Sequence, residues 1–261
     1  MWQIECHKCD NGLIVVPGHV CVTGLVNGAV LPLVIDSGES RSLITMATVQ
    51  QIGLNKTDLL PLKMFSRKFH SDVPIVGKLP VTLKTKNDEP ITHHFLVVDS
   101  LPHYPFISAT LGMDFLGGYK CQLVQDCNPA QLVGHRWKPN NKRHREMTWR
   151  VKVNGKQMKA SIHTGMNASV MASELVQKLK LKKTIDGFEY QNHENQIVIE
   201  TETVHLQINN VIRTDWFVIS DKLKKDQLCL GMISLAGLSV IEFGSAEKTG
   251  PLNRIKRWFC C

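Results

Sequence analysis

Hydrophobic residues cluster in short stretches that alternate with polar residues, a pattern typical of β-strands rather than of long helices. The apolar stretches 19–26 and 30–35 flank Asn27-Gly28, which is a strong signal for a two-residue β-hairpin turn. Asn154-Gly155 predicts a second hairpin of the same kind. Among the short helical segments are 46–52, with Thr45 as its predicted N-cap and Gly53 as its end, and 174–179, with Ser173 as its predicted N-cap. We therefore predict an all-β chain with a few short helices.

The second half of the chain repeats the pattern of the first half. The sequence Ile35-Asp36-Ser37-Gly38, which follows Asn27-Gly28, returns without a gap as Ile162-His163-Thr164-Gly165 after Asn154-Gly155. A later echo sets Phe95-Leu96-Val97-Val98 against Trp216-Phe217-Val218-Ile219, and residues 111–116 against 230–235. Self-similarity of this kind indicates two copies of one structural unit. We predict a tandem duplication of one lobe.

This repeat divides the chain into five segments. We predict an N-terminal extension over 1–17, a first lobe over 18–125, a basic linker over 126–147, a second lobe over 148–244 and a basic amphipathic tail over 245–261. The chain has 261 residues, of which 43% are hydrophobic. That is enough apolar material for a core in each lobe.

An apolar strand that ends in Asp36-Ser37-Gly38 delivers a carboxylate either to a turn or to a reaction site. Together with Ser42-Leu43-Ile44, the short helix that ends at Gly53, the Ile75-Val76-Gly77 limb and Leu-Gly-Met-Asp-Phe-Leu at 111–116, this motif resembles the retropepsins. Retropepsins are the aspartic proteases of retroviruses and retroelements. The resemblance covers the first lobe and, less closely, the second. It implies two retropepsin-like (acid protease) β-barrel lobes in tandem, as in pepsin-like bilobal chains, with a degenerate second lobe.

In such a protease two carboxylates share one proton, one acting as base on the attacking water and the other as acid. The resemblance makes Asp36 the first catalytic group, but the matching position in the second lobe holds His163. An ionised carboxylate beside an imidazolium forms an ion pair rather than a proton-sharing pair of acids. The implied active-site loops also contain Ser37, Gly38, Glu39, Thr164 and Gly165. Glu39 stands where the family usually has Ala, Ser or Thr, and it adds a carboxylate beside Asp36.

Three alternatives remain open from the sequence. Two chains could form a homodimer in which Asp36 meets its own copy. A single bilobal chain could use Asp36 and His163 in a site of low or altered activity. A pseudoprotease could hold an extended peptide in the cleft without cutting it. Each alternative predicts a polypeptide substrate or a partner protein as the ligand of the cleft.

The resemblance also implies a flap, the hairpin that closes over bound substrate. We assign Phe69, His70, Ile75 and Gly77 to it. Its tip carries the basic side chains of Arg67, Lys68 and His70 in place of a glycine-rich turn. We therefore expect a stiffer flap and a preference for acidic substrates.

Formal net charge is +8, and basic residues crowd the linker and the tail. Such clusters can bind nucleic acid or anionic lipid, or they can simply be solvated, which is the interpretation we prefer for the linker. Aromatic residues make up 7% of the chain and none interleaves with the basic runs, which argues against nucleic acid. The tail pairs an apolar helical face with a basic one and ends in Cys260-Cys261, as in membrane anchors that carry a lipid. Alternatively, the tail simply precedes a cleavage point. We predict anionic membrane as a partner of the tail.

Eight cysteines occur without a recognisable signal peptide, which favours mostly reduced thiols. Cys6 and Cys9 form a C-x-x-C that could bind zinc with Cys121 and Cys127, but the second pair is poorly spaced for zinc. We expect free cysteines, no metal and no cofactor. No run of 18 apolar residues occurs. We predict a cytoplasmic location, with membrane association through the tail, and no secretion.

Overall fold

The computed structural model describes residues 2–10, 15–61, 74–86, 89–101, 109–126, 130–136, 147–166, 168–184, 199–236 and 238–243. These residues fall into two compact units. Unit 1 contains the described residues up to 136 together with 239–243, and unit 2 contains those from 147 to 238. Within the described ranges no helix has the length and apolar character needed to cross a membrane.

Unit 1 is built mainly from strands. They are β1 (Trp2–Glu5), β2 (His7–Asp10), β3 (Val15–Val26), β4 (Ala29–Ile35), β5 (Leu43–Thr45), β6 (Ile75–Leu83), β7 (Ile91–Val98), β8 (Ala109–Leu111), β9 (Cys121–Val124), β10 (Gln131–Gly134) and β20 (Val240–Glu242). Its helices are α1 (Met46–Gln51) and α2 (Met113–Leu116), with a 3₁₀ turn at Lys56–Asp58. One sheet has the order β2-β3-β4-β8-β5-β7-β6. Because β6 also pairs with β3, this sheet closes on itself.

The hairpin of β3 and β4 carries the chain to Asp36. Asn27 and Gly28 have φ values of 47° and 79°, so the turn has the left-handed conformation that these two residues favour and that matches strand twist. In β4, Leu31, Leu33 and Ile35 are buried, while the side chain of Val30 is exposed. The predicted hairpin is thereby confirmed, and its alternation points every second residue into the core.

A second sheet in unit 1 has the order β1-β10-β9-β20. Its buried residues Ile4, Leu123, Leu132 and Ile241 form an apolar face. Strand β1 lies inside the predicted N-terminal extension and β10 inside the predicted linker, where the sequence analysis anticipated no strand. Since β20 follows unit 2 along the chain, the chain returns to complete unit 1.

Unit 2 contains β11 (Thr148–Val153), β12 (Lys156–Ile162), β13 (Val170–Ala172), β14 (Lys183–Thr184), β15 (Glu200–Thr201), β16 (Val204–Ile208), β17 (Val211–Asp215), β18 (Val218–Ser220) and β19 (Leu228–Leu230), with helices α3 (Ser173–Leu179) and α4 (Met232–Leu235). They form one sheet of order β14-β15-β18-β13-β19-β12-β11-β16-β17. Asn154 and Gly155 repeat the turn of unit 1, with φ values of 47° and 79°. The second predicted hairpin is also confirmed. Together the two units show the predicted all-β fold with short helices.

Strand pairing corrects one detail of the predicted repeat. Leu43 pairs with Leu96 in unit 1, and the matching Val170 pairs with Val218 in unit 2. Phe95 therefore corresponds to Phe217, and not to Trp216 as the sequence echo had it. Both phenylalanines are fully buried. The echo was wrong by one residue because adjacent aromatic residues, 216 and 217, satisfy the same sequence pattern.

The helix that follows each loop begins differently in the two units. In unit 1 the Thr45 hydroxyl accepts a hydrogen bond of 3.2 Å from the Thr48 N–H, which confirms the predicted N-cap. In unit 2 the helix starts at Ser173, which a sequence reading would take as the cap, and the capping position is held by Ala172. Helix α3 therefore lacks a side-chain cap.

Candidate active site

Asp36 lies directly after β4, at the start of the loop that the sequence singles out. Its N–H donates to the Leu111 carbonyl at 3.1 Å, and the Gly38 N–H donates to Asp36 Oδ1 at 2.8 Å. The side chain is 1% exposed, and Oδ2 has no hydrogen-bond partner within the described part of the chain. One carboxylate oxygen thus holds the loop while the other is buried and unsatisfied. Such groups are costly and are concentrated at functional sites.

His163 occupies the corresponding position after β12. Its N–H donates to the Leu230 carbonyl at 2.9 Å, and its carbonyl accepts from the Met166 N–H at 3.1 Å. The side chain is half-buried. His163 is therefore held at the end of its strand as Asp36 is, although an imidazole replaces the carboxylate.

Two further hydrogen bonds are common to both loops. In the first, the N–H of the first residue of the short helix, α2 or α4, donates to the carbonyl of the residue after the loop glycine. This bond joins Met113 to Glu39 at 2.8 Å in unit 1 and Met232 to Met166 at 2.7 Å in unit 2. The other runs from a glycine N–H to a serine hydroxyl; it joins Gly112 to Ser42 at 3.1 Å and Gly231 to Ser169 at 2.9 Å. The first bond uses only backbone atoms at 39 and 166. This is why Glu and Met can both stand at this position.

The remaining loop residues differ in exposure. The side chains of Ser37 and Thr164 and the residue Gly165 are buried, Glu39 is half-buried, and Gly38 is exposed. The second carboxylate that the sequence placed near Asp36 is therefore partly in contact with solvent.

Asp114 braces the loop of unit 1 from helix α2. Its Oδ1 accepts from the Ser42 N–H and the Ser42 hydroxyl, both at 2.8 Å, and from the Phe115 N–H at 2.9 Å. Because Ser42 in turn accepts from Gly112, one carboxylate fixes both the end of the loop and the start of the helix. Sequence analysis missed this role. The repeat contained a signal for this role, because Asp114 aligns with the apolar residue Ile233 of the second copy.

His93 lies on the other side of Asp114. Its Nε2 is 3.3 Å from Asp114 Oδ2, at ion-pair distance but without hydrogen-bond geometry. The imidazole packs edge-on against the rings of Phe95, Phe115 and Tyr119. Sequence analysis missed His93 as well, because only tertiary packing brings β7 against α2.

Unit 2 supports its loop without an acid on the helix. Ser169 Oγ is hydrogen-bonded to Ser234 Oγ, while Ile233 takes the place of Asp114. Arg213 donates to the carbonyls of Ser234, at 3.2 Å, and Ala236 at the end of α4. Its Nε lies 3.8 Å from Asp215 Oδ2. A cation from a strand thus stabilises the helix C-terminus, where carbonyl groups are left without helical partners.

The predicted flap is only partly described. Phe69 and His70 lie outside the described residues. Ile75 and Gly77 lie on β6, opposite Val98 and Val97. Gly77 is buried, and an added Cβ would come within 2.8 Å of the Leu59 side chain. Cys260 and Cys261 also lie outside the described residues.

Three cysteines of unit 1 are buried, namely Cys6, Cys21 and Cys121. Cys6 and Cys121 are free thiols, and burial raises the pKa of Cys6 to about 12 and the pKa of Cys121 well above its ordinary value. Cys21 differs from the predicted reduced state, because it is disulfide-bonded. No group of three or more His, Cys, Asp and Glu residues in the described ranges is arranged to hold a metal ion.

No protein-family model matches the chain, and no curated protein matches it in sequence. Several solved structures are similar to parts of it. The retroviral protease-like domain of Ddi1 from Leishmania major is 18% identical, over 47% of this chain and 95% of that domain, with a TM-score of 0.34. EIAV protease complexed with the inhibitor HBY-793 is 21% identical, over 40% and 89%, with a TM-score of 0.29. A retropepsin-like aspartic protease from Rickettsia conorii is 18% identical, over 50% and 86%, with a TM-score of 0.30.

We assign the fold from the order of the strands in the described units. In each unit a hairpin delivers a loop residue beside a parallel strand, β8 or β19, that leads into a short helix after Leu-Gly-Met. In the sheet of unit 1, β5 lies between β8 and β7. In the sheet of unit 2, β13 lies between β19 and β18 in the same way. The chain is therefore retropepsin-like in fold.

Proposed function

We propose that this chain is an aspartic-protease-like protein that binds an extended polypeptide in a cleft centred on Asp36 and acts on its peptide bonds. The observation that supports this is the matched hydrogen bonding of Asp36 and His163, which hold the same place in two copies of one loop. Tandem duplication of a retropepsin-like lobe accounts for that match. On this proposal the cleft lies between the lobes, and Asp36 and His163 act in it together.

The two side chains would have different roles. Asp36 has one buried oxygen without a hydrogen-bond partner in the described ranges, and this oxygen could accept a proton from an attacking water. His163 could polarise the scissile carbonyl as a cation or donate a proton to it. Because the two groups do not compete for one negative charge, the acid-range behaviour of a carboxylate pair is not expected.

A pseudoprotease is the second candidate. Replacement of the second acid by His163 and of the helix acid by Ile233 shows that unit 2 has lost the carboxylates of unit 1 while keeping its backbone bonds. Such a chain would retain a peptide-binding cleft, in which an extended segment pairs with strand edges, without cutting the peptide.

The homodimer alternative is less well supported by the strand pairing of unit 1. Strand β9 is the closing strand of the first repeat, and β20 from the same chain already pairs with it, at Val124 with Val240 and Gln122 with Glu242. A partner subunit would have to displace β20 to reach that edge. We therefore favour a single bilobal chain.

The decisive experiment replaces His163 by Asp in the full chain. We expect His163→Asp to cleave a mixed peptide library at acidic pH, with inhibition by pepstatin, because a second carboxylate restores the proton-sharing pair. His163→Asn is the matched control, since it has the same shape without the charge. Asp36→Asn in the His163→Asp background should abolish cleavage. If His163→Asp folds but cleaves no faster than His163→Asn, the cleft is not a protease site missing one acid.

Wild-type protein separates the remaining alternatives. Cleavage by wild type that is lost in both Asp36→Asn and His163→Ala supports the Asp–His site. Peptide binding without cleavage supports the pseudoprotease. Specific activity that rises with protein concentration would instead support the homodimer, and a monomer at all concentrations would exclude it.

A further inference from the structure

Unit 2 carries a lysine-rich surface. Six exposed lysines from two segments form it, and we call it the lysine surface: Lys180, Lys182, Lys183, Lys222, Lys224 and Lys225. The first segment follows α3, and the second follows β18. The two segments lie side by side because Lys178 Nζ donates to Asp226 Oδ1 at 2.8 Å and the Ala172 N–H donates to the Gln227 carbonyl at 3.0 Å.

The charge differs in part from that of the first repeat. Positions 180 and 182 correspond to Gly53 and Asn55 in unit 1, which are neutral, whereas Lys183 corresponds to Lys56. Among the described residues, the acids near the lysine surface are Asp221, Asp226, Glu202 and Glu200, which pairs with Thr184, and Asp226 is already paired with Lys178. Hydrogen bonding to Lys178 lowers the pKa of Asp226, so this acid stays ionised in its pair. The six lysines outnumber these four acids.

Lys180 has a backbone conformation that glycine favours. Lys180 ends α3 with φ of 59° and ψ of 37°, in the left-handed region. The corresponding Gly53 has φ of 77°. Glycine adopts this conformation at no steric cost, whereas a lysine there is strained. Unit 2 thus has a charged residue at a position where backbone energetics favour glycine.

Side chains between the lysines indicate the kind of partner. Leu179, Leu181 and Leu223 alternate with lysines in both segments and are half-buried. The segments 178–184 and 221–227 contain no aromatic residue and no arginine. The two segments therefore lack the aromatic rings that stack on bases and the arginine guanidinium groups that bind phosphate through two hydrogen bonds, both of which nucleic-acid sites use. A lysine side chain carries a positive charge at the end of an apolar stem. Lysines with leucines between them therefore suit the headgroup region of an anionic bilayer.

We infer that the lysine surface of unit 2 docks on anionic membranes. This inference is independent of whether the Asp36 site cuts peptides.

The test uses the full chain with phosphatidylserine-containing vesicles, phosphatidylcholine vesicles and single-stranded RNA. The variant Lys180→Gly/Lys182→Asn/Lys224→Gln introduces the unit 1 residues at two positions. It should lower partition onto phosphatidylserine vesicles by about 100-fold, since each of the three lysines near an anionic surface contributes about fivefold. The midpoint temperature of its thermal unfolding should equal or exceed that of wild type, because position 180 then carries glycine, as position 53 does in unit 1. A midpoint that is not lowered excludes unfolding as the cause of weaker binding.

The matched control is Lys152→Gln/Lys156→Gln/Lys159→Gln, which removes the same charge from exposed positions on β11 and β12 of the same unit. It should change partition by only a few-fold, because screening confines the attraction to lysines near the bilayer. Equal losses in the two triple variants would show that total charge, rather than the lysine surface, drives binding. Wild-type binding to RNA with none to phosphatidylserine vesicles would overturn the inference.

Discussion

Unit 1 and unit 2 share the backbone bonds that hold a loop at the end of a hairpin strand, yet they support that loop with different side chains. In unit 1 a buried carboxylate, Asp114, joins the loop to the helix and lies beside His93. In unit 2 a serine pair and Arg213 replace them. In the pairing of β16 with β17, Arg213 lies opposite Leu206. In the pairing of β6 with β7, His93 lies opposite Val81, so both units have a basic side chain at the same position of the hairpin. Backbone geometry is thus retained while the charges around it change.

The sheets of the two units differ in one pair of strands. In unit 1 the strand β7 is continuous and pairs with both β6 and β5, and β6 also pairs with β3. In unit 2 the corresponding strand is split, and residues 216 and 217 lie between β17 and β18. Asp215, the last residue of β17, accepts from the Trp216 N–H through Oδ1 at 2.9 Å, which stabilises the break. The neighbouring strand is split as well, and β15 pairs with β18 while β16 pairs with β17.

The largest expected effect comes from crowding the point where the loop and the helix of unit 1 meet. A Cβ on Gly112 would lie 2.4 Å from the backbone carbon and oxygen of Arg41. Backbone atoms cannot yield cheaply, so Gly112→Ala should lower the free energy of unfolding by about 3 kcal/mol or more. Denaturant titration measures this change.

Gly28→Ala is the control for that substitution. Gly28 has positive φ but open space around its Cβ position, so the cost should be near 1 kcal/mol. Equal costs for the two variants would mean that the close approach at Gly112 does not matter.

The two serines test whether the charged brace is stronger than the neutral one. Ser42→Ala removes a hydrogen bond to the Asp114 carboxylate and leaves the Gly112 N–H unsatisfied, at a cost of about 2–3 kcal/mol. Ser169→Ala removes only neutral partners and should cost about 1–2 kcal/mol. Chemical denaturation of both variants checks the order. A larger loss for Ser169→Ala would contradict the comparison.

Alkaline pH should weaken unit 1 through its buried thiols. Burial raises the pKa of Cys6 from 9.0 to about 12, so above pH 9 the unfolded chain releases a proton that the folded chain keeps. The stabilisation is fully present below pH 9 and is lost as pH rises toward 12, by up to about 1.4 kcal/mol per pH unit. Stability measured against pH should fall less steeply in Cys6→Ala. An unchanged slope in Cys6→Ala would contradict this prediction.

The smallest expected effect is a reciprocal exchange of helix caps. Thr45→Ala gives α1 the uncapped start that α3 has, and it should cost about 1 kcal/mol. Ala172→Thr should stabilise α3 by a similar or smaller amount. Thermal unfolding of both variants measures the changes. A neutral result for Thr45→Ala would show that the Thr48 N–H finds another acceptor.

Local sequence chemistry predicted the hairpins and the Thr45 cap, because each depends on residues close together in the chain. Asn27-Gly28 and Asn154-Gly155 adopt the backbone conformations that their residue types favour. Two details failed for local reasons. Ser173 resembles a cap but is the first helical residue, and Trp216 resembles Phe95 in sequence while Phe217 shares its pairing.

The sequence by itself determined the all-β class, the double loop with Asp36 and His163 and the uneven charge of the chain, since these follow from turn propensity, alternation and composition. Only the tertiary structure decided what surrounds the loops. The brace from Asp114 to Ser42 joins residues 72 positions apart, and β20 completes unit 1 from beyond unit 2. The physical reason is that a hydrogen bond between distant residues leaves no periodic trace in the chain. Its partners become neighbours only when the strands between them have paired.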